Sequence, residues 1–192
     1  MADAPQATTV RGPRKDQARN RRRLLDAARE AFKDQGPDAG IDGIARRAGV
    51  GATTFYRHFP TKDDLVDALL DELSEGSREA AEHAAGITDG WTAFRTVFTQ
   101  GCVPHEEDLA LFDILCRTSA RAAERGRRVT VELIGPVVER ARSEGMLRGD
   151  ATVEDIAAFM RMADSAASAG QRRRAHDVLL AGLRSRGGAA DA

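Results

Sequence analysis

Cysteine is almost missing from this sequence. Cys102 and Cys116 stand alone in 192 residues, too few and too isolated for a disulfide framework or a zinc knuckle. They fit a reducing interior, so the expected location is cytoplasmic. No run of about 18 apolar residues is present to span a bilayer, and the polar start MADAPQATT lacks the apolar centre of a signal peptide. The four histidines, His58, His83, His105 and His176, fall into no HExxH or other ligand spacing. Neither a nucleophile elbow nor a phosphate-cradling glycine loop occurs. No catalytic residue, metal site or cofactor is therefore expected, and the chain does not read as an enzyme. Aromatics make up only 5% of the chain, and no segment alternates apolar with polar residues long enough to form a sheet. What remains is rich in Ala, Leu, Arg and Glu, all strong helix formers. The expected fold class is all-α.

A net charge of -1 conceals an uneven distribution. Residues 1 to 62 carry 13 Lys/Arg against 7 Asp/Glu, a local +6, which leaves -7 for the remainder. A basic first third suits a polyanionic partner, although a solvated basic helix face would look the same. Residues 1 to 15 hold Pro5, Gly12, Pro13 and three positive charges without an apolar period, and read as a flexible basic arm. From Gln17, the apolar stripe Leu24, Leu25, Ala28, Ala31 and Phe32 marks a first helix that Gly36 and Pro37 stop. Ile41, Ile44, Ala45 and Ala48 form a second, shorter stripe, followed at once by Gly49, a residue suited to a left-handed helix end. A third helix runs from Ala52 and must end by Phe59, because Pro60 forces its predecessor out of helical geometry. Thr61 caps a fourth, with Asp64 placed to reach back to it.

Segments 41 to 58 thus form two short helices joined by a tight glycine turn, and such a pair crosses steeply. Small Ala45 permits close approach, Val50 and Phe55 fill the angle, and Phe59 closes the far end. With the two phenylalanines inside, the third helix shows Thr53, Thr54, Arg57 and His58 outward, donors suited to phosphate oxygens and base edges. No carboxylate on that face would repel DNA. The run from Arg22 to Leu70, and GVGATTFYRHFPTKDDL within it above all, resembles the N-terminal domain of the TetR family of bacterial transcriptional regulators. The resemblance implies that Thr54 and Tyr56 meet the DNA backbone or a base edge, that His58 and Lys62 each meet a phosphate, and that Thr53 and Arg57 read bases. One departure stands out. Gly40, Ile41, Asp42 and Gly43 open the second helix where many relatives carry Thr and Arg.

The domain layout expected is an arm over 1 to 15, a helix-turn-helix DNA-binding domain over 16 to 62, a helical regulatory and dimerisation domain over 63 to 186, and a tail over 187 to 192. Within the third segment, punctuation predicts helices at about 75 to 85, 89 to 102, 105 to 123, 128 to 144, 153 to 168 and 171 to 185. The resemblance implies a homodimer that places two recognition helices in successive major grooves. Matching segments supply Val131, Ile134 and Val138, then Ile156, Met160 and Ala163, as candidate dimer contacts, although the extra helix QRRRAHDVLLAGLRS leaves the pairing open. Trp91, Phe94, Phe98 and Cys102 repeat at helical spacing, and Phe112 and Cys116 share the next helix. They either border a cavity for an unknown small-molecule effector or form ordinary core. His105, Asp113 and Arg117 are polar candidates for orienting that effector. Nothing beside either cysteine lowers its pKa, so inert thiols are favoured over a redox sensor. The expected function is a DNA-binding transcriptional regulator, a ligand-responsive repressor acting as a homodimer on a palindromic operator. The alternatives are a protein that coats DNA without preference and an enzyme carrying an incidental helix-turn-helix.

Overall fold

A computed structural model of the chain describes residues 13 to 100 and 106 to 185. The arm up to residue 12, Cys102, His105 and the tail from 186 lie outside the described residues. Ten α-helices are described, with one isolated bridge, Leu147 to Arg184, and no strand among the described residues. The chain divides into two compact units between Leu65 and Val66.

The first unit contains α1 (Pro13–Gln35), a 3-10 turn (Gly36–Asp38), α2 (Ile41–Ala48), α3 (Ala52–His58) and the start of α4 (Lys62–Leu73). α1 starts four residues earlier than the apolar stripe predicts, because a proline in the first turn gives up only an N–H that has no helical partner there. Leu24, Leu25, Ala28, Ala31 and Phe32 are buried, as the stripe requires. Ile44, Ala45 and Ala48 of α2 and Phe55 and Phe59 from the third helix and its end complete this core. An Arg47 to Asp34 ion pair at 2.7 Å ties α2 to α1 at the surface. The Thr61 and Asp64 capping box is present in both directions: Asp64 N–H donates to the Thr61 hydroxyl at 3.1 Å, and Thr61 N–H to the Asp64 carboxylate at 3.0 Å.

The second unit holds the rest of α4, then α5 (Glu75–Ala85), α6 (Gly90–Gln100), α7 (Glu106–Cys116), α8 (Ala120–Ser143), α9 (Val153–Asp164) and α10 (Ala169–Leu183). α8 is its central element, packed against α5, α6, α7 and α9. Sequence punctuation misplaced its start. The predicted break at Gly126 does not exist; α7 ends at Cys116, and Ser119 caps α8 by accepting from Ala122 N–H at 3.1 Å. Gly126 lies inside the helix because a Cβ there would sit 2.3 Å from Cys116 Sγ and 3.5 Å from Phe112 Cζ. It is a close-contact residue, not a stop. α9 opens with a second capping box, Thr152 with Asp155, and closes at Asp164. None of the described helices is long and apolar enough to cross a membrane.

Candidate nucleic-acid interface

The interface is built on α3, seven residues held by what is beneath it and aimed by the turn before it. Gly49 ends α2 at φ +65° and ψ +37°, the left-handed geometry that glycine adopts without steric cost. Its N–H and that of Val50 return to the carbonyls of Arg46 (3.1 Å) and Ala45 (3.0 Å), so the turn satisfies the last turn of α2. Gly51 then accepts from Thr54 and Phe55 N–H and starts α3 in a new direction.

Phe55 is wholly buried and meets Phe59 at 6.0 Å between ring centroids, fixing the rotation of α3 about its axis. That rotation exposes Thr53 and Arg57, leaves Thr54 and His58 half-buried, and turns Tyr56 outward at 49% exposure. Tyr56 keeps the edge of its ring on Phe55 at 5.5 Å, so the phenol is splinted while its hydroxyl end stays in solvent. Burial first, then the Arg21 and Arg57 guanidiniums, hold the His58 imidazole below its usual value of 6.5. The two guanidiniums beside the ring make this end of α3 electropositive.

Lys62 is less free than its sequence position suggests. Its ammonium donates to the Pro37 carbonyl at 2.8 Å and lies 5.4 Å from the centre of the Phe32 ring, which pins the start of α4 to the end of α1. At the start of α2, Gly40 is the N-cap and supplies no side-chain acceptor. Gln17 and Arg21 of α1 carry no sequence signal for a place beside α3. They line, with Ala18, Arg57 and His58, an open recess of about 320 Å³. Only the tertiary fold brings α1 to the end of α3, so no local signal could have found them.

The other candidates lie in the second unit. Trp91, Phe94 and Phe98 stack in sequence along α6 with centroids 5.6 and 5.5 Å apart. Phe94, Phe98 and Phe112 are buried in the core, and Arg184 covers Trp91 at 5.1 Å. Cys116 packs on Gly126; burial first and the Asp113 carboxylate second push its thiol up to about 11. Asp113 and Arg117 pair with each other at 3.0 Å on the surface.

The candidate dimer contacts are largely buried within the single chain. Ile134, Val138, Ile156, Met160 and Ala163 are each about 1% exposed or less in the single chain, because they form the seam between α8 and its own neighbours; Val131 is half-buried. Among the described residues, the large apolar side chains left in solvent on the body are Met162 at 65% and Val178 at 72%, on α9 and α10.

Comparison with known proteins decides what this geometry belongs to. Residues 24–69 match the model of the bacterial regulatory proteins, tetR family. The transcriptional activator FasR of Mycolicibacterium smegmatis is 30% identical over 170 residues, an alignment covering 72% of this chain and 78% of FasR. The chain belongs to the TetR family. The transcriptional repressor LfrR of the same organism is 39% identical over 74 residues, 37% of this chain and 39% of LfrR. Among solved structures, the TetR transcription regulatory protein of Mycobacterium vanbaalenii superposes with a TM-score of 0.52 at 29% identity, covering 90% of this chain and 99% of that one. The helix-turn-helix described above is therefore that of a DNA-binding TetR-family transcriptional regulator, and α3 is its second helix.

Proposed function

We propose that this regulator acts as a homodimeric repressor, occupying a palindromic operator in the cytoplasm and leaving it when a small molecule binds the helical body. The single observation that carries the reading is the recognition face. Phe55 and Phe59 are spent on the core, so Thr53, Thr54, Tyr56, Arg57 and His58 form one polar, carboxylate-free surface. Arg57 and Thr53 are the base readers, and an arginine bidentate to guanine discriminates by about 1 to 3 kcal/mol. Tyr56 and Thr54 hold the backbone or a base edge, and His58 a phosphate. Lys62 uses one of its three protons on Pro37 and keeps the others for a second phosphate.

Two short helices contact too few base pairs for selectivity, which is why a two-fold partner belongs to the reading. Met162 and Val178 on α9 and α10 support that pair of helices, in place of α8, as the dimer face. Effector release is assigned to α4. Its N-terminal turn belongs to the DNA-binding unit, and its C-terminal half is tied to α8 by Arg121 to Asp67 at 2.6 Å and by an Arg125 to Asp71 ion pair one turn on. A ligand that shifts α8 therefore acts on α4, and DNA and ligand weaken each other by the same factor.

The test is genomic footprinting of the purified protein, followed by a shift assay on the sites found. One or a few sites bound at least about a thousandfold more tightly than bulk DNA support a regulator, whereas uniform protection supports a coating protein. Light scattering of the wild type and of the Met162→Asp, Val178→Asp double variant tests the dimer. A wild type that is already monomeric, or a variant that stays dimeric, rejects the α9 and α10 face.

A further inference from the structure

α1 carries an exposed basic surface whose use is not explained by folding. Arg19 and Arg22 are paired within the helix, to Asp16 and Asp26, both at 3.0 Å. Arg21 is different. Its guanidinium lies over the Phe59 ring at 5.1 Å, a contact that orients the group without neutralising it. From there it faces the recess that Gln17 and Ala18 of α1 share with Arg57 and His58 of α3.

The chemistry of that recess is one-sided. Two guanidiniums, an imidazole and a carboxamide converge on it, and no carboxylate lines it. The basicity of His58 is lowered first by its partial burial and then by the positive charge of Arg21 and Arg57. Unoccupied, the arrangement is electrostatically unfavourable; a bound anion relieves it and favours the protonated form of the imidazole as a further donor. Because Arg57 and His58 belong to the recognition helix, an anion in the recess stands beside the groove that this helix enters.

We infer that Gln17, Arg21 and His58 form a seat for one DNA backbone phosphate beside the base-reading Arg57, so that α1 is part of the DNA-contacting surface. This rests on α3 being the recognition helix. Arg21 is the principal new contact, preset by Phe59, and Gln17 supplies a neutral hydrogen bond at the rim. The contact carries no sequence information. It fixes the register of α3 on the duplex and adds to affinity for every site.

The experiment uses the full chain and a fluorescein-labelled mixed-sequence duplex of about 30 base pairs, titrated by anisotropy at several salt concentrations. Arg21→Gln is expected to bind about tenfold more weakly than wild type and to lower the salt slope by about one per DNA-bound subunit. Arg22→Gln, one residue along and outside the recess, removes the same formal charge and should leave the slope near wild type. Since Arg21 also packs on Phe59, Gln17→Glu serves as a second probe: it adds repulsion at an exposed position with no core contact. It should weaken binding while leaving thermal unfolding unchanged, and Gln17→Lys should strengthen binding. Equal effects of Arg21→Gln and Arg22→Gln, or Gln17→Glu binding as wild type, overturn the seat. A wild type that binds no duplex overturns instead the reading of α3 on which the seat depends, and the seat with it.

Discussion

Replacing Gly49 by alanine tests whether the turn between α2 and α3 is set by backbone conformation. The residue sits at φ +65°, where an L side chain costs roughly 1 to 2 kcal/mol. Alanine also narrows the unfolded ensemble, which returns about 0.4 to 1 kcal/mol. A second effect is steric: a Cβ on Gly49 would stand 2.6 Å from Nη2 of Arg23. That atom ends a long exposed side chain, so it can retreat at little cost. The net expectation for Gly49→Ala is therefore a loss of about 1 kcal/mol, read by urea unfolding followed with far-UV circular dichroism. Gly49→Asn should lose less, since asparagine tolerates left-handed geometry yet carries the same Cβ. In an Arg23→Ala background the penalty of Gly49→Ala should persist. If removing Arg23 abolishes it, or if asparagine is as costly as alanine, crowding and not φ governs the turn, and the reasoning fails.

Gly126→Ala should destabilise the body despite a helix-propensity gain of about 1 kcal/mol, because overpacking of this kind costs about 1 to 3 kcal/mol. Thermal melting should show Cys116→Ala rescuing it, given that the clash is with Cys116 Sγ at 2.3 Å. Acidification should have opposite effects on the free protein and its DNA complex. The His58 pKa is lowered by folding, so its contribution to stability is present above about 6.5 and is lost as pH falls below that value. A phosphate favours the imidazolium, so DNA affinity should rise over the same descent; His58→Gln should flatten both profiles, and unchanged profiles would refute the assignment. Cys116, with its thiol held near 11, should be alkylated by iodoacetamide far more slowly in native than in urea-unfolded Cys102→Ser protein, as followed by mass spectrometry. Equal rates would show the site to be open.

The helix-turn-helix was legible because its determinants are local. Gly49 needs a left-handed turn, Pro60 forbids helix at Phe59, and Thr61 with Asp64 closes a capping box within four residues. The start of α8 was not legible, because its cap is weaker in sequence terms. Ser119 has Ala122 where a capping box would place an acid, and the residues around it are strong helix formers. Gly126, by contrast, looks like a helix breaker until Cys116 and Phe112 are seen against it. Arg21 illustrates the same limit in the first unit: it reads as one arginine in a basic helix, and only the fold sets it beside Arg57 and His58.

Burial separates two meanings of an apolar stripe that sequence cannot. Ile134 and Val138 repeat at helical spacing whether the surface they meet belongs to their own chain or to a second copy. In the folded chain α8 already has four helical neighbours, so its stripe is consumed internally. α9 contributes Ile156, Met160 and Ala163 to that seam, yet leaves Met162 outside it, two residues from Met160 and rotated to another face. Val178 is likewise exposed on α10, which packs on α9 and α6 alone among the principal helix contacts. Full burial of such side chains is worth about 1.5 to 3 kcal/mol each, and a two-fold axis would count each one twice. A partner seated on α9 and α10 thus gains from surface the single chain leaves wet, whereas one seated on the Ile134 and Val138 stripe of α8 would first have to open the core.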